Sequence, residues 1–349
     1  MSLHFLFYLF LVILFIILLL IVVVLYYSFS KFSHLLHLQH WEKVIDQKIA
    51  SVIIYGSEEA PEDLAFESLV NQPFFKSVFL EKLVESERKF SGVAQQDLKK
   101  LYHHYHLEEE SLKKLTQNKS YLIVGGIQEL TSMQVEKTLP QINSFLNHPK
   151  LAVYQEAQYA AAHFKGFEGL DFLNTHQALI SDWQQLRLLL SVKEIPDEST
   201  DNIKNWLEST NDSVVHLTLR LLRKFQFLSG YPFVRNLLNH PSVKIRKEAV
   251  FTLQSLENSS TNAELMQSYD EQPEEVQVEI MRMILNSKDP RCIDFLKKEL
   301  QENPNPQLKI DAARALLSLG KEEELRQWAA DPGTDADLIL IINHAIEQK

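Results

Sequence analysis

Two groups of histidines come nearest to a metal-binding pattern in this sequence. The groups are His34, His37 and His40, and His103, His104 and His106. Zinc sites on helices use convergent ligands, usually four residues apart or as a Glu–His pair three residues apart. The first group lies among apolar and aromatic residues, whose amphipathic rings favour a membrane interface. We therefore expect interfacial anchoring for the first group, a solvated position between helices for the second, and no metal site.

The other reactive side chains lack the arrangement that catalysis requires. Carboxylates occur in runs at 108–110 and 322–324, which are typical of solvated helix starts rather than of an acid–base pair in a cleft. No G-x-S-x-G is present, and Gly125-Gly126 belongs to no phosphate-binding motif. Arg291 next to Cys292 favours a lowered thiol pKa, but a small core residue is the simpler interpretation. The sequence predicts no catalytic residue, no cofactor, no small-molecule substrate and no enzyme activity.

The charge of the chain argues against nucleic acid as a partner. Its 349 residues carry a formal net charge of −11, and the first thirty contain no Asp, Glu, Lys or Arg. The acidity therefore lies on the remainder, whereas nucleic-acid-binding proteins show basic stripes. The single cysteine fits a reducing compartment and excludes an intrachain disulfide framework.

An uninterrupted apolar run, Phe5–Tyr27, predicts a membrane anchor over residues 1–30. As a helix this run spans roughly 34 Å, enough for a hydrocarbon core of about 30 Å. No Lys or Arg precedes the run, whereas Lys31, Lys43 and Lys48 follow it. The positive-inside tendency then places the C-terminal part in the cytoplasm. The sequence thus predicts a single-pass membrane protein, N-out/C-in.

Helical spacing of apolar residues dominates the rest of the chain. A helix is expected over 31–55, ended by Gly56, with one apolar face. That face consists of Val44, Ile45, Ile49, Val52 and Ile53. Further helices near 63–71, 74–90, 94–105 and 107–117 complete a small juxtamembrane helical segment, 31–117.

From residue 118 onward the sequence repeats. Asn147-His148-Pro149, Asn239-His240-Pro241 and Asn303-Pro304 each precede an amphipathic helix with a central Ala. The prolines are separated by about three and two units of roughly 31 residues, which places hidden repeats near 118, 180, 210 and 272. A shorter apolar helix lies between successive long ones, and a last helix, 335–347, closes the array.

Three columns of residues define the predicted core of the repeat. They stand four, eight and twelve positions after each repeat start. The columns are Leu122, Val153, Gln184, Val214, Ile245, Val276, Leu308; Gly126, Ala157, Leu188, Thr218, Ala249, Ile280, Ala312; and Leu130, Ala161, Val192, Leu222, Leu253, Ile284, Leu316. Small residues in the middle column permit close helix approach. The prediction is an all-α solenoid of about seven helix pairs over 118–349, with a capping helix.

The segment Pro241-Ser-Val-Lys-Ile-Arg246-Lys-Glu-Ala249 resembles the HEAT repeat. The whole chain is similar to bacterial HEAT-repeat proteins with one N-terminal membrane span. This resemblance implies a scaffold, adaptor or regulatory subunit, and some bacterial relatives of the repeat act as lyases on bilin chromophores. The family's polar ladder, with Arg at the fifth position of each repeat, is mostly absent here.

The expected function is binding of a protein partner, plausibly a membrane enzyme, through the solenoid surface. Solenoids present the second helix of each pair on an extended binding surface. Aromatic residues and arginines are enriched in interface hot spots. The candidate partner-binding residues are Tyr154, Tyr159, Arg220, Arg246 and Phe251. The alternative is an enzyme, or a metal- or chromophore-binding protein, built on the same solenoid.

Overall fold

The computed structural model describes residues 3–61, 63–256 and 258–348, without the side chains of 3–9, 12 and 27–37. Within these residues the chain is all-α, with no β-strand. It divides into two compact units, 1–160 and 161–349. The predicted boundary at 117/118 differs from this division and stays a prediction.

The α-helices of the first unit alternate with short turns. They are α1 (Leu3–Tyr55), α2 (Leu64–Leu69), α3 (Pro73–Glu87), α4 (Val93–His104), α5 (Glu108–Leu115), α6 (Ser120–Ser132), α7 (Leu139–Asn143) and α8 (Leu151–Lys165), the last of which continues into the second unit. A 3-10 helix, Glu136–Thr138, precedes α7. The bounds of α1 to α5 match the helices predicted for 31–117 to within a few residues, except that α1 begins at Leu3 and not near residue 31.

In the second unit, long and short helices alternate. The α-helices are α9 (Asp182–Ser191), α10 (Thr200–Leu207), α11 (Asp212–Phe225), α12 (Tyr231–Asn236), α13 (Val243–Ser255), α14 (Thr261–Ser268), α15 (Glu274–Ser287), α16 (Ile293–Glu302), α17 (Pro306–Ser318), α18 (Glu322–Ala330) and α19 (Ala336–Glu347). The 3-10 helices are Glu168–Asn174, Asp197–Ser199, Leu228–Gly230, Leu237–Asn239, Tyr269–Glu271 and Pro290–Cys292.

The first unit is built on the second half of α1. Val44, Ile45, Ile49 and Val52 are buried, as the apolar spacing predicts, while Ile53 is half-buried. This face packs against α2, α3 and α4. Gly56 ends α1 with a φ of 83°, a conformation that residues with a Cβ rarely adopt.

The membrane span predicted over Phe5–Tyr27 is not supported. α1 covers this range, but several of the side chains in it lie outside the described residues. Among the residues that are described, no helix has an apolar stretch long enough to cross a membrane, which takes about 20 residues. This finding contradicts the predicted single-pass localisation with a cytoplasmic C-terminal part.

The repeat period correctly predicts the long helices. α6, α8, α9, α11, α13, α15 and α17 each begin two residues after a predicted repeat start. The three predicted columns are buried throughout, except for half-buried Leu122. Within the second unit, the long helices pack in succession: α9 with α11, α11 with α13, α13 with α15, α15 with α17, and α17 with α19. The short helices pack beside them and share one apolar core.

Side-chain caps fix where the long helices of the second unit begin. The Ser181 hydroxyl accepts a hydrogen bond from the Gln184 N–H at the start of α9, and Asn211 Oδ1 accepts one from the Ser213 N–H at the start of α11. The Asn211 amide also donates to the carbonyls of His176 and Ala178. These caps satisfy N–H groups that the first helical turn leaves without partners.

Candidate functional site

An apolar stripe on α9 faces solvent. Trp183, Leu186 and Leu190 are 70%, 42% and 69% exposed. They are spaced i, i+3 and i+7, so they share one side of the helix, while Leu188 on the other side is fully buried. Single exposed apolar residues are ordinary, whereas a contiguous group marks an interaction surface. We call these three residues the α9 stripe.

Ionic and hydrogen-bonding contacts tie α9 to α11. Arg220 Nη2 donates to Asp182 Oδ1 at 3.0 Å. Near the other end of α9, Lys224 Nζ donates to the carbonyl oxygens of Leu189 at 2.6 Å and Val192 at 2.9 Å. The lysine therefore satisfies carbonyl groups that the last turn of α9 leaves without partners. These contacts place the α9 stripe and Arg220 on neighbouring helices of one surface.

Arg223 continues this surface from α11 to α13. Its Nη1 donates to Glu248 Oε2 at 2.7 Å and to Thr252 Oγ1 at 3.1 Å. The same guanidinium lies 4.7 Å from the centroid of the Phe251 ring, a cation–π distance. Phe251 is nevertheless 49% exposed. Arg223 thus holds the aromatic ring in place and leaves its other side open to solvent.

We call the α9 stripe together with Arg220, Arg223 and Phe251 the aromatic–arginine face. It extends over three long helices that pack in succession, α9, α11 and α13. A groove of about 540 Å³ borders it between α13 and α15. The groove is lined by Val243, Lys244, Lys247, Glu248, Phe251, Glu275 and Glu279. Apolar and ionic side chains therefore alternate along one accessible surface.

A buried histidine lies beneath this surface. His216 shares a side of α11 with Arg220 and Arg223, is 6% exposed, and has no hydrogen-bond partner at either ring nitrogen among the described residues. Its pKa is lowered, mainly because burial disfavours the charged imidazolium. Lys244 and Arg220 lower this pKa further, whereas Glu248 and Asp212 oppose the shift. The neutral form is therefore favoured in the folded chain.

The five predicted partner-binding residues have different environments. Arg220 and Phe251 belong to the aromatic–arginine face. Arg246 instead donates from Nε to the His240 carbonyl at 2.5 Å and from Nη1 to Gln272 Oε1 at 3.3 Å. It therefore connects the turn before α13 with the turn before α15. Tyr154 and Tyr159 lie half-buried on α8, in the part of that helix that belongs to the first unit.

The residues considered for other chemistry do not converge. Among the described residues, no group of three or more His, Cys, Asp or Glu side chains is placed to hold a metal ion. His103, His104 and His106 are exposed around the end of α4, as is His40 on α1. The side chains of His34 and His37 lie outside the described residues.

Cys292 is fully buried, and burial raises the pKa of its thiol to about 11. The neighbouring Arg291 instead pairs with Asp289, through Nη2 to Oδ2 at 2.7 Å. This confirms the interpretation of Cys292 as a core residue, because a buried neutral thiol is a poor nucleophile.

Sequence reasoning missed the α9 stripe and Arg223. The signal was present, because α9 carries apolar residues on both its buried and its exposed sides. Gln184 and Gln185, which occupy buried positions, obscured it. Their polarity suggests a solvent-facing side where the helix in fact packs. Gln185 is accommodated in the interior because its Nε2 donates a hydrogen bond to the Ile180 carbonyl oxygen at 3.0 Å.

Comparisons with known proteins give no family. No family model matches the chain, and no curated protein matches it. Among solved structures, an engineered protein overlaps 88% of this chain and 98% of its own length, at 16% identity and a TM-score of 0.36. Human deoxyhypusine hydroxylase in complex with glycerol overlaps 82% of this chain and 99% of its own, at 14% identity and a TM-score of 0.31. A second engineered protein overlaps 69% of this chain and 95% of its own, at 16% identity and a TM-score of 0.25. At these TM-scores none of the three defines the fold or the function of this chain.

Proposed function

We propose that this chain is a helical-repeat protein of HEAT type that binds a protein partner through the aromatic–arginine face. The observation that supports this function is the α9 stripe, which leaves one tryptophan and two leucines accessible on one side of a helix. Trp and Arg are the residue types most enriched among interface hot spots. The face combines both with a second exposed aromatic ring, Phe251.

The packing of the second unit supports the HEAT-like arrangement. Long helices at a regular spacing pack in succession, and the short helix of each pair lies beside them. Such an array buries a continuous core while keeping one side of every long helix accessible. A partner that lies across several repeats then contacts residues far apart in sequence, such as Trp183 and Phe251.

Trp183 and Leu190 of the α9 stripe contribute little to the stability of the chain. A side chain that is about 70% exposed gains little from folding, because the hydrophobic free energy scales with the apolar area removed from water. An exposed apolar group instead costs solubility and favours association. Association with a partner recovers that free energy, because it buries the same area.

Co-purification from the source cell with a tagged full chain tests the proposal. The variant Trp183→Ala/Leu186→Ala/Leu190→Ala is compared with a control, Leu228→Ala/Leu340→Ala, whose leucines are 61% and 67% exposed elsewhere in the second unit. We expect one stoichiometric partner with the wild type and the control, and recovery at least about ten-fold lower with the α9 variant. Equal recovery with a folded α9 variant refutes the proposed surface.

A further inference from the structure

The helices of the aromatic–arginine face are basic in an acidic chain. α9, α11 and α13 contain seven basic side chains, Arg187, Arg220, Arg223, Lys224, Lys244, Arg246 and Lys247, and three acidic ones, Asp182, Asp212 and Glu248. Seven minus three leaves a formal charge of +4, whereas the whole chain carries −11. The next long helix, α15, has three glutamates and one arginine. The net positive charge of the long helices is therefore concentrated on the three that carry the aromatic–arginine face.

Two lysines on α13 are accessible at the groove beside Phe251. Lys244 is exposed, and the Lys247 side chain is 41% exposed, with its Nζ a distant 4.0 Å from Glu275 Oε2. Ion pairs of this length at a surface contribute little to stability, and their side chains readily change partners. Both ammonium groups therefore lie at the surface of the groove, which Glu248, Glu275 and Glu279 also line.

The dimensions of the face fit a helix. The α9 stripe extends over eight residues, 183–190, which is seven steps of 1.5 Å or about 10 Å. α11 lies between α9 and α13, and neighbouring axes of packed helices are about 8–10 Å apart, so α9 and α13 are separated by roughly 16–20 Å. A helix of about 13 residues covers that distance. A helix of that length is long enough for its apolar side to reach both the α9 stripe and Phe251.

We propose that the occupant of the aromatic–arginine face is an acidic amphipathic helix of the partner protein. This inference depends on the proposed function and specifies the chemistry of the partner. Leucines of the partner at helical spacing cover the α9 stripe, and glutamates or aspartates beside them pair with Lys244, Lys247 and Arg220. Helix-in-groove recognition uses such i, i+3 or i+4, i+7 anchors, and complementary charge accelerates the encounter.

The apolar part of the face favours a protein over a nucleic acid. Single-stranded nucleic acid stacks bases on aromatic rings and places phosphates on lysines. It offers nothing apolar to cover Leu186 and Leu190, which complete the α9 stripe beside Trp183. The acidic remainder of the chain also repels a long polyanion, whereas a short acidic helix fits within the basic region.

Fluorescence anisotropy with the purified full chain tests this inference. The probe is an 18-residue labelled peptide with leucines at i, i+3 and i+7 and glutamates at the flanking positions. Three comparison probes are used. One is a peptide of the same composition with the leucine positions scrambled, one is the same peptide with every glutamate replaced by lysine, and one is a 20-nucleotide single-stranded DNA. We expect only the acidic amphipathic peptide to bind, with affinity falling as salt rises.

Charge reversal then locates the site. Lys244→Glu/Lys247→Glu is expected to lower the affinity for the acidic peptide by at least about ten-fold. The control, Lys204→Glu/Lys288→Glu, changes the net charge equally at exposed lysines outside the three helices, and its affinity is expected to stay within two-fold or so of wild type. Binding of the scrambled or lysine peptide with equal affinity, preferred binding of the DNA, or no binding of the acidic peptide each overturns the inference.

The two proposals fail differently. If the co-purified partner is lost with the α9 variant but retained with Lys244→Glu/Lys247→Glu, the binding face stands and the acidic-helix inference is wrong. If neither variant loses the partner, the proposed function is wrong as well.

Discussion

Gly125 and Gly126, two adjacent glycines of α6, are expected to respond oppositely to the same substitution. A Cβ on Gly126 would lie 2.8 Å from the Ser111 carbonyl oxygen and 3.0 Å from both Leu115 Cδ2 and Lys114 Cβ, all on α5. A Cβ on Gly125 would have no atom within 4 Å. Gly126 occupies the middle column of the repeat, where close helix approach was predicted, and the contact with α5 is its physical reason.

The magnitudes follow from these contacts. Ala is favoured over Gly inside a helix by about 1 kcal/mol, so Gly125→Ala is expected to stabilise α6 by about that amount. In Gly126→Ala the same gain is opposed by a clash with the backbone of α5, which moves less easily than a side chain. An ordinary C···O contact is roughly 3.3 Å, so α5 and α6 must separate by about half an ångström. Overpacking of this kind costs about 1–3 kcal/mol, which is the expected difference between the two variants.

Hydrogen exchange measured by mass spectrometry is the suitable assay, because it reports the free energy of local opening for peptides from α5 and α6 separately. We expect the amide hydrogens of α5 and α6 to exchange more slowly in Gly125→Ala than in Gly126→Ala. The reasoning is refuted if both variants protect α5 and α6 equally, since the helix-propensity gain is common to both and only the α5 contact distinguishes them.

Two further predictions concern buried titratable groups. Burial lowers the pKa of His216 in the folded chain. As pH falls, the unfolded chain therefore takes up a proton at His216 near the ordinary pKa of about 6.5, before the folded chain does. The free energy of unfolding is then highest above that pH and decreases as pH falls below it. Urea unfolding of the second unit between pH 7 and 5 should show a shallower decrease in His216→Leu than in wild type, and an identical pH dependence would contradict the neutral buried state. Cys292, with its thiol pKa raised to about 11 by burial, is expected to react with iodoacetamide at pH 8 only after denaturation; rapid labelling of the native chain would show that the thiol is accessible.

Much of the second unit could be predicted from sequence because its core repeats. Ala249 and Ala312 stand at the same repeat position, and burial in a stacked array requires a small or apolar residue there each time. Even Gln184 and Thr218, the polar exceptions, are buried. Thr218 is accommodated because its hydroxyl donates to the Val214 carbonyl at 2.8 Å within the same helix. Regular spacing therefore identified core positions where composition alone did not.

The candidate site was less predictable, because it depends on which side of each helix faces solvent and on contacts between repeats. Arg246 and Arg220 are both candidates from sequence, yet Arg246 donates hydrogen bonds to a turn carbonyl and to Gln272, whereas Arg220 pairs with an exposed aspartate. Arg223 and Phe251 come together from different helices. Pairings of this kind follow from the packing of α11 against α13, which no local pattern specifies.

Site-specific photo-crosslinking tests the binding face most directly. A photoreactive phenylalanine analogue is placed at Leu190, in the α9 stripe, or at Leu228, which is comparably exposed elsewhere in the second unit, and the source cells are irradiated. We predict one discrete adduct of defined mass from position 190 and none from position 228. No adduct at 190, or the same adducts at both positions, would contradict a binding face on α9, α11 and α13.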